Sequence, residues 1–421
     1  MIKLIIITFF IVKSFHLFAQ LPHTIEGTIV NNNEKGTWYG VNIPRSVPTK
    51  LIFRNNSISS VNSEGYLLLS GDENPSGRDN NLDGQEIMGN KLTWNGSNDP
   101  TIITHGLFTG YNINSVIKYN SLDNVPYGII FKSGTDQGSN MTFTSGGCAY
   151  NICKNGKFSV RMKGINGVNV YNNTFYSGDG SGRYLVLITS NQDRTIPPPS
   201  IGSKIFNNIF YSTMQIPMIS IETECLINFE SDYNIFWCTV GEPTFAIDGK
   251  NYTWQQWQAL GYDAHSKIVN PNFLNTIDFV PSERLDFGLD LGTEWQTGLS
   301  IDASWVAGIS PKTANQNGTW QIGARLRQNS TSTTMNNQDS IIIYPNPSDG
   351  KFQIAINEIP PEGVVMEIRN ILGQKLLEQK VFDRITEWSV GQYFGSVFFL
   401  TLSNKGIIIA TKKMILNHAN N

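Results

Sequence analysis

Three cations occur close together in the middle of the sequence, at Lys132, Arg161 and Lys163. Each belongs to a run in which apolar and polar residues alternate, and successive side chains of such a strand point to opposite faces. If Phe131 points inward, Lys132 points outward, and the same alternation directs Arg161 and Lys163 outward. On parallel strands about 4.8 Å apart, the three side chains would form one cationic cluster.

This cationic cluster suits the β-elimination of an anionic polysaccharide. One cation would neutralise the carboxylate of a uronic acid and so lower the barrier to losing the proton on the adjacent carbon, which a lysine or arginine of lowered pKa removes. Tyr127, Tyr150 or His105 would return a proton to the leaving oxygen. The residues therefore favour a lyase, and the alternative is a solvated strand face whose lysines oppose edge pairing.

Acidic residues form a second candidate site, with Glu222 and Glu224 close in sequence and Asp136 farther up the chain. Glycoside hydrolysis needs two carboxyl groups about 5 Å apart for retention or about 6.5–9.5 Å apart for inversion. Glu222 and Glu224 share a face if their strand stays extended. They indicate a glycoside hydrolase as the second enzyme class. The alternative is that these acids are simply solvated at the corners between strands of a coiled β-structure.

An oxygen-rich stretch that contains Asp79, Asp83 and Glu86 is a candidate for calcium, the only cofactor that the sequence suggests. Its spacing departs from the EF-hand loop, which has an acid at the twelfth position. An ordinary asparagine-rich turn is therefore the alternative. No Cys-x-x-Cys pair or histidine cluster in the sequence has zinc spacing.

The chain has four cysteines, and export through an oxidising compartment would allow two disulfides with three alternative pairings. We prefer a bridge between Cys225 and Cys238. The alternative is four buried thiols stacked in the coils, because free cysteine is commonly interior. The other two cysteines are Cys148 and Cys153.

A repeating β-structure must position these candidates. An aromatic residue followed by asparagine recurs inside β-type runs at spacings of 31, 21, 35 and 27 residues, and such a recurrence is typical of a solenoid. Asparagine tolerates left-handed turns between strands, and stacked asparagines can form ladders from coil to coil. The pairs begin at Tyr119, Tyr150, Tyr171, Phe206 and Tyr233.

The region 25–325 resembles the pectate-lyase-like right-handed parallel β-helix proteins. The resemblance rests on the aromatic–asparagine coils, on segment 262–266 leading to Asn-Pro-Asn-Phe at 270–273, and on the closing segment 320–325. It implies an all-β fold, a right-handed parallel β-helix. That superfamily holds polysaccharide lyases, glycoside hydrolases, esterases and tail adhesins, so the fold alone does not select an activity. A β-sandwich is the alternative fold.

The two ends of the sequence indicate export. Residues 1–20 have the pattern of a secretory signal peptide, with a basic start, an apolar run from Leu4 to Val12 that is too short to span a membrane, and an end near Ala19. No later segment reaches 18 apolar residues, so we expect no transmembrane segment in the mature protein. The β-helix domain is predicted over 21–327.

A polar linker is predicted at 328–339, and a small β-sandwich domain follows at 340–421. The Tyr-Pro-Asn-Pro segment at 344–347, the Asn-x-Leu-Gly-Gln segment at 370–374 and the basic final strand resemble the type A C-terminal sorting domain of the type IX secretion system, known from Bacteroidetes. The resemblance implies the type IX machinery as a partner and export to the outer surface or the medium.

The overall charge is balanced, with a net charge of -3 and a charged fraction of 15%. No basic stripe indicates a nucleic-acid partner. The sequence therefore predicts a secreted or cell-surface protein that acts on an extracellular polysaccharide. We favour a lyase on an anionic polysaccharide, with a glycoside hydrolase or a non-catalytic glycan-binding adhesin as alternatives.

Overall fold

The computed structural model of the protein describes residues 23–33, 37–43, 51–70, 84–96, 102–110, 114–133, 141–193 and 195–328, and most of 341–416. Two compact units make up the chain, Met1–Phe273 with Phe279–Arg327, and Leu274–Asp278 with Gln328–Asn421. The predicted signal peptide, the predicted linker beyond Gln328, and the candidates Asp79, Asp83 and Asp136 lie outside the described residues.

The first unit is a parallel β-helix of about eight turns. Each full turn adds one strand to each of three sheets, which we call A, B and C. Sheet A consists of β1 His23–Glu26, β4 Leu51–Arg54, β7 Glu86–Met88, β10 Val116–Lys118, β14 Gly147–Ala149, β18 Asn169–Tyr171, β21 Lys204–Phe206 and β24 Glu230–Asp232. Sheet B consists of β2 Ile29–Asn32, β5 Ser57–Ser60, β8 Lys91–Trp94, β11 Ser121–Asp123, β15 Ile152–Lys154, β19 Thr174–Ser177, β22 Ile209–Ser212, β25 Ile235–Cys238 and β28 Lys267–Ile268.

Sheet C carries the predicted cationic cluster. Its strands pair in parallel except for the last, which is antiparallel. They are β3 Thr37–Ile43, β6 Glu64–Ser70, β9 Ile103–Gly110, β12 Tyr127–Lys132, β16 Phe158–Lys163, β20 Val186–Thr189, β23 Pro217–Ile221, β26 Thr244–Ile247 and β27 Lys250–Tyr252. The predicted all-β parallel helix is confirmed.

Apolar residues stack in columns inside the coils. One column of sheet C runs in register over six strands, and every member is fully buried, so the apolar side of each coil is removed from water by its neighbours. Full burial of one such side chain stabilises the fold by about 1.5–3 kcal/mol. The column is Leu68, Leu107, Ile129, Val160, Val186 and Ile219.

An asparagine ladder marks the corner between sheets A and B. From the second member onward, the side-chain oxygen of each ladder asparagine accepts hydrogen bonds from the backbone N–H and the side-chain amide of the asparagine one coil earlier. The oxygen of the first member, Asn56, accepts from the Thr28 N–H. The predicted ladder is confirmed. Its members are Asn56, Asn90, Asn120, Asn151, Asn173, Asn208 and Asn234.

The residue before each ladder asparagine has a positive φ, which turns the chain from sheet A into sheet B. In two coils the aromatic–asparagine pattern is out of phase with the ladder by one residue. Asn172 and Asn207 occupy the left-handed position, and Asn173 and Asn208 form the ladder instead. The aromatic residues Tyr119, Tyr150 and Tyr233 fill the left-handed position in other coils.

The last coil ends on a buried carboxylate and a short helix. Asn234 donates its side-chain amide to Asp263, which also accepts from Ser231, Ser266 and Trp257. Trp257 belongs to helix α1, Trp254–Ala259, whose capping box at Thr253 is complete. Asp263 therefore ends the ladder with a full set of donors.

A covering segment, residues 285–327, returns along the corner between sheets A and B. Tyr119 donates to the Thr297 carbonyl, and the Ala324 N–H donates to the Thr174 hydroxyl. The remaining strands of this unit are β13 Met141–Thr142, β17 Ile165–Asn166, β29 Asp286–Gly288, β30 Thr297–Ser300, β31 Thr313–Asn315, β32 Trp320–Gln321 and β33 Arg325–Leu326, with 3-10 turns at Thr223–Leu226 and Thr293–Trp295.

The four cysteines are buried free thiols, so the Cys225–Cys238 disulfide that we preferred is not formed. The Ser200 N–H donates to the Cys225 sulfur at 3.2 Å, whereas the Cys238 sulfur donates to the Met214 carbonyl at 3.4 Å. Burial raises the pKa of Cys225 to about 11. The thiols fill interior positions instead of cross-linking coils.

The second unit contains two antiparallel sheets. A single apolar core that includes Phe352, Met366 and Phe398 joins residues from both. One sheet has the order β34 Ile341–Tyr344, β35 Lys351–Ile356, β38 Ile385–Ser389, and the other has the order β37 Lys375–Val381, β36 Val364–Asn370, β39 Val397–Asn404, β40 Ile407–Ile415. In the described parts of both units, no helix has the length and apolar character needed to cross a membrane.

Candidate active site

The three predicted cations lie on two adjacent strands of sheet C. Lys132 on β12 pairs in register with Lys163 on β16, and Arg161 is two residues before Lys163 on the same strand. Phe131 and Met162, which alternate with them, are fully buried in the core. The cations therefore point to the outer face of the sheet.

Asp193 joins the two lysines. Its two carboxylate oxygens lie 2.7 Å from the Lys132 ammonium and 2.7 Å from the Lys163 ammonium. Partial burial acts to raise the pKa of Asp193, but the hydrogen bonds and charges of Lys132 and Lys163 outweigh it and lower this pKa to about 2. The aspartate is therefore ionised at any ordinary pH.

Asp193 was not among the predicted site residues. It follows Thr189, which pairs in register with Lys163 at the end of β20. The loop after β20 thus begins beside Lys163 and brings its acid back over the lysines. The sequence signal for Asp193 is an acidic residue a few positions after the strand that stacks on the lysine-bearing strand of the previous coil.

Arg161 is the cation least engaged by hydrogen bonds. Burial lowers its pKa, while the charges of Tyr127, Asp193 and Glu222 act to raise it. Its guanidinium carbon lies 6.0 Å from the centre of the Phe158 ring, and within the described part of the chain its Nε atom is buried without a hydrogen-bond partner. Burial also lowers the pKa of Lys163, against the opposite effect of the hydrogen bond that Lys163 donates to Asp193.

A row of aromatic rings runs beside the cations. His105 on β9 stacks on Tyr66 at 4.7 Å and lies 5.0 Å from Tyr127 on β12, between ring centres. Burial, together with the charges of Arg161, Lys132 and Lys163, lowers the pKa of His105 to about 3. His105 is therefore neutral near pH 7 and cannot donate a proton as imidazolium, which leaves Tyr127 as the candidate acid.

Tyr150 lies apart from this group. It is fully buried in the A–B corner, where its hydroxyl donates to the Trp295 carbonyl at 2.5 Å. Burial raises its pKa. The structure thus brings together Lys132, Arg161, Lys163, Tyr127 and His105, and it places Tyr150 under the covering segment.

Two of the predicted acids, Glu222 and Glu224, line an open cavity of about 440 Å³ on the same sheet. Glu222 accepts from the Ser190 N–H at 2.7 Å, and Glu224 accepts from the Ser190 hydroxyl at 2.8 Å. They do not share a strand face as predicted, because β23 ends at Ile221 and a 3-10 turn begins at Thr223. The turn brings both carboxylates to one side of Ser190.

Of the three calcium candidates, Glu86 alone lies among the described residues. Glu86 is half-buried in β7, and its proposed partners Asp79 and Asp83 fall outside the described ranges. Among residues with described positions, no group of three or more His, Cys, Asp and Glu side chains is arranged to hold a metal ion.

The second unit is the part of the chain that comparison with known proteins recognises. Residues 342–417 match the secretion system C-terminal sorting domain. The sorting domain predicted from the sequence is therefore confirmed, and it indicates type IX export to the cell surface or to the medium. A comparison with curated proteins finds no significant match to the chain.

Proposed function

We propose that the protein is an extracellular lyase that cleaves a uronate-containing polysaccharide by β-elimination. The observation that supports this function best is the grouping of Lys132, Arg161 and Lys163 on the outer face of sheet C, with Tyr127 packed against Ile130 on that face and close enough to act on the pKa of Arg161. Burial lowers the pKa of Arg161 and of Lys163, so the neutral form needed for a base is easier to reach than in water.

Each group has a role in this proposal. The Lys132 and Lys163 ammonium groups neutralise the uronate carboxylate. Arg161, in its neutral form, takes the proton from the sugar carbon that bears this carboxylate. The electron pair of that C–H bond forms the new C=C bond as the C–O bond to the neighbouring sugar breaks. Tyr127 gives its hydroxyl proton to the leaving oxygen and regains one from solvent, and Arg161 releases the proton it took to solvent, which restores its neutral form.

The shape of the first unit supports a polymeric substrate. Strands β9, β12, β16, β20 and β23 are adjacent and parallel, with a spacing of about 4.8 Å between neighbours. A chain molecule can contact side chains of several coils on this face, and the type IX route carries the protein to the cell surface or the medium.

The test is to incubate the purified protein with uronate-rich, sulfated and neutral polysaccharides and to follow both ultraviolet absorbance of unsaturated ends and new reducing ends. We expect both signals from a uronate polymer and a loss of about 100-fold or more in Arg161→Ala. Lys204→Ala is the matched control, because Lys204 is an exposed cation of sheet A paired with Glu230. If Arg161→Ala cleaved the polysaccharide as fast as the natural chain does, this cluster would not be the active site.

A glycoside hydrolase is the second candidate, supported by the cavity that Glu222 and Glu224 line. Hydrolysis would release reducing ends without unsaturated ones, and Glu222→Gln or Glu224→Gln would abolish it. A glycan-binding solenoid without catalysis is the third, supported by the pairing of Asp193 with both lysines. It would retain polysaccharide without shortening it.

A further inference from the structure

Lys132 and Lys163 form a two-pronged cation site on adjacent coils. Each ammonium binds a different oxygen of a single carboxylate, that of Asp193, at 2.7 Å. The Lys132 side chain is only 5% exposed and that of Lys163 only 13% exposed, whereas Asp193 is 38% exposed. The lysines are therefore built into the wall, and the carboxylate is bound from the solvent side.

The cations and the carboxylate come from different kinds of structure. Both lysines end strands of sheet C that pair in register, so the sheet fixes their separation. Asp193 comes from the loop after β20, where its N–H donates to the Asn191 side chain and Asn191 is tied to the Ser133 carbonyl at 2.8 Å. The cation pair does not depend on the loop carboxylate for its backbone positions.

We propose that Lys132 and Lys163 form the subsite for a carboxylate or sulfate group of the ligand, and that Asp193 occupies this subsite as an internal competitor. A carboxylate that bridges two ammonium groups is the arrangement expected for recognition of such an anion. The inference rests on the site of the proposed function, but it concerns binding and does not require cleavage.

Displacement of Asp193 by a ligand is physically reasonable. Only the Asp193 carboxylate faces solvent, at 38% exposure, so water and salt can reach it and screen its attraction to the two lysines. A polyanion with several charges can therefore replace the single carboxylate of Asp193, whereas a monosaccharide with one charge competes poorly. The site would then select chains of high charge density over isolated acidic sugars.

The experiment measures binding of a short oligouronate to the full chain by calorimetry at low salt. We expect Asp193→Asn to bind about tenfold more tightly than the natural chain. Asp302→Asn is the control, because the Asp302 side chain is also 38% exposed and paired with a lysine, Lys312. A carboxyl-reduced form of the same oligosaccharide should bind Asp193→Asn and the natural chain equally.

Two further arms make the outcome decisive. The double variant Asp193→Asn/Lys163→Ala should lose the gain in oligouronate affinity that Asp193→Asn produces. The affinities for a sulfated oligosaccharide and for the oligouronate, measured side by side, show which anion the site prefers. Unchanged or weaker oligouronate binding by Asp193→Asn, or by Asp193→Ser if the first variant misfolds, would overturn the inference. Tighter binding by Asp193→Asn without any cleavage product would support the anion subsite and contradict the lyase function. Product formation without tighter binding would support the lyase function and contradict the role of Asp193 as a competitor.

Discussion

The side-chain amide of Asn151 donates a hydrogen bond to the side-chain oxygen of Asn173 at 2.9 Å, across 22 residues of sequence. Asn151 also donates to the Ile117 carbonyl at 2.8 Å, and its own oxygen accepts from the backbone and side chain of Asn120. All of these groups are buried. One asparagine thus satisfies polar groups of three successive coils.

Asn151→Ala should destabilise the β-helix by about 3 kcal/mol or more, because it leaves several buried polar groups without partners and each costs about 1–3 kcal/mol. Asn31→Ala is the control, since Asn31 is exposed on sheet B and accepts a hydrogen bond from Ser59. We expect it to change stability by less than about 0.5 kcal/mol. Chemical denaturation measures both, and an equal loss in the two variants would argue against the ladder as a source of stability.

The ladder shows how far the sequence could lead. The recurrence of aromatic residues and asparagines predicted a solenoid with stacked asparagines, because one coil is one repeat. It could not fix the phase at Asn172 and Asn207, since consecutive asparagines both suit a left-handed turn. Only the pairing of coils decides which of the two enters the ladder.

The residues of the candidate site that lie on strands could be predicted from the sequence. Alternation placed Lys132, Arg161 and Lys163 on one face because the side-chain period of a strand is two residues. Asp193 was missed because it belongs to a loop, and the path of a loop does not follow from periodicity. Tyr150 was misplaced for a related reason, since a left-handed residue at a corner does not continue the alternation of either strand.

Tyr150→Phe should lower stability and leave product formation unchanged. The hydroxyl donates to the Trp295 carbonyl and accepts from Gln316, so its removal should cost about 1–2 kcal/mol. Tyr211→Phe is the control, because the Tyr211 hydroxyl has no hydrogen-bond partner within the described structure. Thermal unfolding would measure the effect on stability, and the reducing-end assay would measure the effect on product formation. A loss of activity at unchanged stability would mean that Tyr150 takes part in catalysis.

Tyr127→Phe should lower kcat by about 10²-fold or more and leave KM nearly unchanged, because the hydroxyl acts on the leaving oxygen after the substrate is bound. Tyr176→Phe is the control, since Tyr176 lies on sheet B away from the cations. Single-turnover rates of appearance of unsaturated ends would measure the effect. A rise in KM with unchanged kcat would instead assign Tyr127 to substrate binding.

The ion pairs of Asp193 should make stability depend on pH in strongly acidic solution. The lysines hold the pKa of Asp193 at about 2, below the value of about 3.9 for an unfolded aspartate. Between these values the unfolded chain binds more protons than the folded chain, so stability falls as pH falls. The contribution is fully present above about pH 4 and is lost as pH falls through about 2.

Asp193→Asn should remove this part of the pH dependence, because asparagine does not titrate. Thermal unfolding of the natural chain and the variant from pH 5 down to about pH 2 would show two curves that converge at the acid end. Asp302→Asn cannot serve as the control here, since Lys312 also lowers the pKa of Asp302. Asn31→Ala leaves every titrating group in place, so its curve should run parallel to that of the natural chain. Parallel curves for Asp193→Asn would instead mean that the lysines do not stabilise the ionised carboxylate.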